Sequence, residues 1–444
     1  MGPSASVGLD APSPPGACSS YSTYDEKEEL RAMDERTGCV VVGGGPAGMV
    51  TGLILARAGV EVTVLEKHPD FLRDFRGDTV HPSTLTLLDE LGLGEKFDAV
   101  PHSEVSSAGF PTEDGGMMKL ADLSRLKVPR PYIAMVPQWD FLNLLADAAQ
   151  KEPTFTLRVE TEMTGLLRSG ARVDGVRYRT ADGVEGELRA DLVVAADGRW
   201  SSARRFAGLE PKEYDTPFDA WWFRLSRRDD ETDTTLMPKM RHRRFAVPLP
   251  RTGYYQIAYL APKGEDLRAA GIENFRHNIT EVCPEFADRV DELESMDDVK
   301  FLDVRLNRLH RWHTDGLLCI GDAAHAMSPV GGVGINLAVQ DAVAAAGLLA
   351  DALRRGRPTD SELRAVRTRR VLPTIAVQTL QRILHRFVMR PVMAGRRDGP
   401  PQPMVKIFAR FPKLSYFPAL LLGVGVRPEH APAFARRAQE PADR

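Results

Sequence analysis

Apolar positions change their spacing several times along the chain, and each change marks an element. Residues 39–43 (CVVVG) and 60–66 (VEVTVLE) are β-branched runs that read as buried strands, with a helix over 46–58 between them. Residues 82–91 (PSTLTLLDEL) have helical spacing, with Pro82 in the first turn and Gly92 as a left-handed stop; 138–150 read as a further helix. Residues 155–160, 171–180 and 186–189 read as hairpin-like strands with Asp182-Gly183 as a turn, and DLVVAA (191–196) as a buried strand ending at Asp197-Gly198. From about 212 to 306 the segments FDAWWFRLSR, RRFAVPLP, YYQIAYLAP and VKFLDVRLNR alternate as an antiparallel sheet does, with one helix near 272–293. The apolar strand LLCIG follows, then a long Ala-rich helix from about Ile335 to Arg355, stopped by Gly356. Two or more helices reach about 392, a Pro/Gly break covers 395–403, and a short apolar segment, YFPALLLGVGV, comes after it.

The pattern predicts an α/β fold. A Rossmann-like nucleotide-binding domain is split between 39–211 and 307–356, a β-sheet domain is inserted over 212–306, and 357–444 form a helical region. The Ser-, Pro- and Gly-rich residues 1–38 have no apolar signal core and predict a disordered or loosely docked arm. A net charge of −3 argues against bulk attraction to nucleic acid. Cys18, Cys39, Cys283 and Cys319 are too dispersed for a disulfide framework or a metal site, which fits a reducing, cytoplasmic setting. No apolar run is long enough to span a bilayer, although the segment after the Pro/Gly break leaves room for peripheral membrane contact.

Gly43-Gly44-Gly45-Pro46-Ala47-Gly48 fits G-x-G-x-x-G between a strand and a helix. Gly43 permits the tight turn, Gly45 lets backbone amides approach a diphosphate, and Gly48 lets helix and strand pack closely. The helix start, at Pro46 and Ala47, points its positive end at the phosphates. Glu66, followed by Lys67, ends the second strand where a carboxylate accepts from ribose hydroxyls and disfavours a 2′-phosphate. These residues alone fit FAD and NAD equally.

A second glycine-rich helix start occurs in GLLCIGDAAHAMSPVGGVGINLAVQDA (316–342). Taken with the first loop and with Asp197-Gly198-Arg199-Trp200-Ser201-Ser202-Ala203-Arg204, it makes the chain, from 39 to about 390, resemble the class A flavin-dependent monooxygenases, the p-hydroxybenzoate hydroxylase type of aromatic-ring hydroxylase. The resemblance implies FAD as cofactor. Asp322 would bind a ribitol hydroxyl, Pro329, Gly332 and Gly334 would bring bare backbone to the isoalloxazine, and the helix start at Ile335 and Asn336 would face the ring's N1/C2 carbonyl edge. Asp197 and Gly198 would touch FAD, as would Arg76 and Gln138, while His325 is given no chemistry.

The implied activity is that of a single-component monooxygenase. NADPH or NADH, bound transiently, reduces FAD; O2 is captured as a C4a-hydroperoxyflavin; one oxygen atom passes to an aromatic or polyketide-like molecule. Pro329 and Gly332 act there through backbone, and neither a side-chain acid/base nor a metal is called for. The substrate would lie against the inserted sheet. There Trp221, Phe223 and Leu225 fall on one strand face and Trp222 and Arg224 on the other, with Trp222 as a stacking wall and Arg224 as an anion or carbonyl holder. A reductase or halogenase of the same fold, or a non-catalytic flavin-binding protein, is the alternative; the Trp-x-Trp-x-x-Ile-Pro stretch of such halogenases is absent.

Overall fold

The computed structural model describes residues 35–72, 79–111, 117–231 and 235–439. An eight-stranded sheet is built from β1 (Glu35–Val42), β2 (Val62–Leu65), β3 (Phe155–Arg158), β4 (Thr161–Ser169), β5 (Arg172–Thr180), β6 (Glu185–Ala195) and, far downstream, β12 (His313–Thr314) and β13 (Leu317–Cys319). Strands β3-β2-β1-β6-β13 lie parallel in that order, β12 closes one edge antiparallel, and β5 hangs from β6 with β4 beyond it. A parallel sheet covered on both faces needs strands apolar on both faces, and Val40, Val41, Leu192 and Val193 are accordingly all at 0% exposure.

Helix α1 (Pro46–Arg57) lies directly on this sheet. Gly52 permits the contact, because a Cβ there would sit 2.7 Å from the Phe155 ring and 2.9 Å from Val64. Helices α2 (Pro82–Glu90) and α3 (Gln138–Ala149) add to the same core. The inserted domain is an antiparallel sheet of β7 (Phe218–Ser226), β8 (Lys239–Arg241), β9 (Arg244–Pro250), β10 (Tyr254–Pro262) and β11 (Lys300–Leu302), in the order β8-β9-β10-β7-β11. Trp221, Phe223 and Leu225 of β7 face a helix at Gly271–Val282, with the Phe223 and Phe275 rings 5.4 Å apart edge to face. The chain enters and leaves this domain through Pro211–Tyr214 and Leu306–Leu309, which pair antiparallel.

Three elements differ from the sequence reading. Strand β1 already includes Glu35–Gly38, the last four residues of the expected arm, with Glu35 held by the Arg158 guanidinium and by the Tyr178 hydroxyl; residues 1–34 lie outside the described residues. The segments at 186–189 and 191–196 are one continuous strand, β6. The helix near 272–293 stops at Val282: Pro284 cannot continue it, and short 3₁₀ turns follow. Two small three-stranded sheets, one from Thr79–Val80, Ser103–Val105 and Ile133–Met135, the other from Ser107–Pro111, Met117–Asp122 and Thr235–Leu236, were not foreseen.

Helix α4 (Gly334–Arg355) packs along α1, and 83% of its apolar window is buried, so its hydropathy is that of a core helix. Helix α5 (Asp360–Leu384) begins with a Thr359–Glu362 capping box, carries Pro373 inside it, and ends in a π-turn over His385–Met389. Beyond it, α6 (Gln402–Arg410) and α7 (Tyr416–Gly423) return to pack on the inserted sheet and on the turn that precedes α4.

Candidate active site

The β1–α1 turn is fixed by backbone sterics. Gly43 has φ +102°, and a Cβ there would lie 2.6 Å from the Ala196 carbonyl; a Cβ on Gly48 would lie 1.9 Å from the Gly43 oxygen. Gly45 is the exception, since its missing side chain faces open space. Pro46 begins α1, so the helix's first amides and positive end front that space. Glu66, 2% exposed, accepts from the Gly44 amide at 2.8 Å and the His68 amide at 3.0 Å, which sets its carboxylate beside the turn. Lys67 is exposed next to it.

The segment after β6 touches this turn. The Asp197 carboxylate accepts from Ser201 Oγ at 2.5 Å and from the Ala203 amide at 3.0 Å, so it caps the short helix Ser202–Phe206. Burial raises its pKa, and those hydrogen bonds offset the rise only in part. Gly198, at φ +82°, again faces open space. Arg199 reaches Asp322 at 3.4 Å. Arg204 is buried and donates to the Ala323 carbonyl at 3.0 Å and to the Arg199 carbonyl at 2.9 Å, joining the segment after β6 to the turn after β13.

That second turn is held from several sides. A Cβ on Gly321 would meet Ala47 at 3.3 Å and Ala338 at 3.1 Å, so the turn lies between α1 and α4. Gln381 of α5 accepts from the Ser328 amide at 3.3 Å and donates to the Ser328 and Val330 carbonyls at 2.8 and 2.9 Å. His385, one helical turn on, meets Ser328 Oγ at 2.9 Å, and burial pushes its pKa down to about 4. These contacts bracket Pro329. On the other side Thr79 donates to the Gly332 carbonyl at 2.7 Å. Ser83 and Thr84 both donate to Asn336 Oδ1 at 2.7 Å, so the Asn336 carbonyl is turned toward α2. Helix α4 starts at Gly334, one residue ahead of Ile335, and Gly334 too fronts open space.

Three separate segments thus meet: a Cβ on Gly43 would lie 2.9 Å from the Asp197 Cα and one on Gly321 would meet Ala47 and Ala338, while Gly45, Gly198 and Gly334 each have no atom within 4 Å of a Cβ position. An extended dinucleotide fits this donor set, with amides and helix N-termini for anionic and carbonyl groups and two carboxylates, Glu66 and Asp322, for hydroxyls. Gln138 begins α3, three residues past Met135, which pairs with Thr79. Arg76 lies outside the described residues. Trp222 is half-buried between the cluster containing Val330 and the one containing Leu422, and its indole nitrogen is buried without a partner among the described residues. Arg224 is exposed, with its guanidinium over the Tyr254 ring at 4.9 Å, so the structure does not bring it to the Val330 cluster. Sequence reasoning missed Thr79, His81, Asp341, Arg370 and Gln381, whose partners lie far away in the chain; only the helical i, i+4 spacing of Gln381 and His385 links any of them locally.

Comparison with known proteins fits this geometry. The family described as FAD binding domain matches residues 36–378. The chain is 36% identical over 349 residues to 6-methylpretetramide 4-monooxygenase of Streptomyces rimosus, covering 75% of this chain and 80% of that protein. It is 26% identical to para-nitrophenol 4-monooxygenase of a Pseudomonas species, covering 74% and 81%. The OxyS anhydrotetracycline hydroxylase from Streptomyces rimosus shares the fold, with a TM-score of 0.70 at 24% identity over 87% of this chain and 76% of that one.

Proposed function

Since the chain belongs to the FAD binding domain family, among the class A flavin-dependent monooxygenases, we propose that it hydroxylates a polyketide-type aromatic molecule, with NADPH or NADH as reductant and O2 as oxidant. It is an FAD-dependent enzyme. Relatives are named for acting on 6-methylpretetramide, rifampicin and para-nitrophenol, all carrying aromatic rings, and this supports the substrate class. The observation that carries the reading is the contact of three chain segments, Gly43 with Asp197, Gly321 with Ala47 and Arg199 with Asp322, alongside the open glycines Gly45, Gly198 and Gly334.

In this reading the amides at the start of α1, with Gly43, Gly45, Pro46, Ala47 and Gly48 shaping them, hold the diphosphate. Glu66, oriented by the Gly44 and His68 amides, accepts from the ribose, and Lys67 stands alongside. Asp322 takes a ribitol hydroxyl. Asp197 acts indirectly, by ordering the backbone at Gly198. Pro329, Gly332, Gly334, Ile335 and Asn336 form the ring's seat, with Arg76 and Gln138 completing the cofactor contacts. Bound FAD supplies the two-electron storage and oxygen activation that no side chain offers. The chain orients the substrate and keeps water out: Trp222 stands between apolar groups of the inserted sheet, Val330 and the C-terminal helices, and offers one indole N–H to a substrate oxygen. We place the reaction in the cytoplasm, consistent with Cys39, Cys283 and Cys319 being free and buried.

The test uses the purified yellow protein. NADPH or NADH is added anaerobically with a panel of phenols and polycyclic aromatics, and flavin bleaching is followed; O2 is then admitted and products are weighed by mass spectrometry. Bleaching accelerated by one ligand, followed by gain of one oxygen atom, supports the proposal. Double-bond reduction without oxygen gain, or no bleaching with any ligand, sinks it.

A further inference from the structure

His81 stands at the junction of the strand Thr79–Val80 and α2, fully buried at 0% exposure. Its ring lies between two backbone carbonyls. Nδ1 is 2.8 Å from the Leu422 oxygen and Nε2 is 3.0 Å from the Gly332 oxygen. Leu422 belongs to the last turn of α7, whose carbonyls have no partner within the helix. Gly332 belongs to the turn that seats the flavin ring in the reading above. The two pieces also touch directly, since a Cβ on Gly331 would lie 2.9 Å from the Leu422 side chain.

Both neighbours are acceptors. A neutral imidazole has one N–H, so in either tautomer one nitrogen lone pair is pressed against a carbonyl oxygen; only the imidazolium donates to both. Burial opposes that cation and pulls the pKa to about 4, with the Leu422 and Gly332 carbonyls pulling the other way. Among the described residues around the ring there is no countercharge. Thr79, Ser83 and Thr84 are neutral, residues 417–426 carry no ionisable side chain, and no charged side chain contributes to the shift. The N-terminal ends of α2 and α4 disfavour a cation, and the C-terminal end of α7 favours one. The ring is therefore neutral and under-bonded.

We propose that His81 is a positioning residue that takes up a proton when the bound flavin becomes negatively charged on reduction, and so clamps the Gly332 carbonyl to the end of α7 in the reduced enzyme. The inference rests on the flavin reading above. The balance is simple: two electrons and one proton go to the flavin, and one further proton passes from solvent to the His81 ring. The protonated ring then makes two charge-assisted hydrogen bonds where one neutral bond existed. Helix α7, which also borders the Trp222 cluster, is thereby held more firmly while the reduced flavin waits for oxygen.

The midpoint potential of the bound FAD, measured against pH from mildly acidic to mildly alkaline, counts the protons taken up per two electrons. In the wild-type holoenzyme a window with two protons per two electrons is expected, while the absorption spectrum of the reduced flavin stays that of its anionic form. In His81→Gln, whose amide reaches one carbonyl and does not titrate, that window shrinks to one proton and the potential falls, with FAD still bound. A one-proton slope throughout in the wild type, a second proton that moves with a change to the neutral reduced-flavin spectrum, or an unchanged slope in His81→Gln overturns the proposal. If His81→Gln fails to hold FAD, the wild-type slope and spectrum together still decide it. A failure of the clamp leaves FAD binding and reduction intact, whereas a failure of the flavin reading leaves no flavin potential to measure.

Discussion

The His325 nitrogen Nε2 lies 2.5 Å from one oxygen of the Asp341 carboxylate, and Arg370 Nε lies 2.9 Å from the other. None of the three side chains is more than 1% exposed. Asp341 also accepts from the Gly321 amide at 3.1 Å, and Arg370 continues to Glu429 at 3.2 Å. The turn carrying Asp322 is thus bolted to α4, α5 and the C-terminal segment by one buried polar chain. His325, which a reader of the sequence is tempted to make an acid or base, spends its ring nitrogen on that chain.

Breaking the chain is costly because it strands charge. Asp341→Asn leaves Arg370 buried without its carboxylate, and loss of one partner of a buried pair costs about 3–5 kcal/mol. Burial alone would raise the Asp341 pKa, but His325 and Arg370 hold it below the ordinary carboxylate value. A folded pKa below the unfolded one, about 3.9, contributes stability that is present above that value and lost as pH falls through the folded one. Denaturant titrations therefore show wild type well above the variant at neutral pH, with the gap narrowing in acid. A gap that is absent, or that widens in acid, contradicts this account of Asp341.

Asp322 is the half-exposed carboxylate of the second turn, with Arg199 at 3.4 Å as an ion partner. Asp322→Ala removes a charged hydrogen-bond acceptor worth about 1.5–3 kcal/mol to a hydroxyl partner, or roughly tenfold to a hundredfold in FAD affinity. The variant should lose most of its flavin on gel filtration, read as visible absorbance per mole of protein. Unchanged flavin content would remove Asp322 from the cofactor site.

The parallel core was legible in the sequence because its strands are apolar on both faces and its glycines obey local sterics: Gly43 and Gly48 are needed whatever the remainder of the chain does. The inserted sheet was legible through the alternation of Trp221, Phe223 and Leu225. The two small sheets were not, because strands of two to six residues carry too little periodicity. The polar framework around the turn at Ser328–Gly334 was equally hidden. Gln381 finds Ser328 across 53 residues and His81 finds Leu422 across 341, and no local pattern encodes such partners. Arg224 shows the converse limit: strand alternation gave its face correctly, but not that this end of the strand is open to solvent.

Gln381 offers a test of that hidden framework. Its amide donates to the Ser328 and Val330 carbonyls around Pro329. Gln381→Ala leaves these polar groups unpaired at about 1–3 kcal/mol and frees the turn's geometry. The expected result is a measurable drop in melting temperature together with weaker FAD binding and an altered visible flavin spectrum. Gln381→Glu, which keeps the volume but lacks both N–H donors, should behave like the alanine variant. A normal spectrum and affinity in both would show that the turn holds its shape without α5.

In the proposed reading Trp222 bears on substrate more than on cofactor. Its ring bridges the apolar groups around Val330 and Leu422, and its indole N–H is buried with no acceptor among the described residues. A buried donor left unpaired costs about 1–3 kcal/mol, so it is a natural site for a substrate carbonyl or phenol oxygen to fill. Trp222→Phe keeps most of the apolar wall and removes only the donor. It should bind FAD normally and be reduced normally without substrate, yet show about a tenfold rise in KM, or a matching loss of the substrate's acceleration of flavin bleaching. Trp222→Ala should lose more, since it also removes the wall. Equal KM for Trp222→Phe and wild type would place the substrate oxygen elsewhere in the inserted sheet.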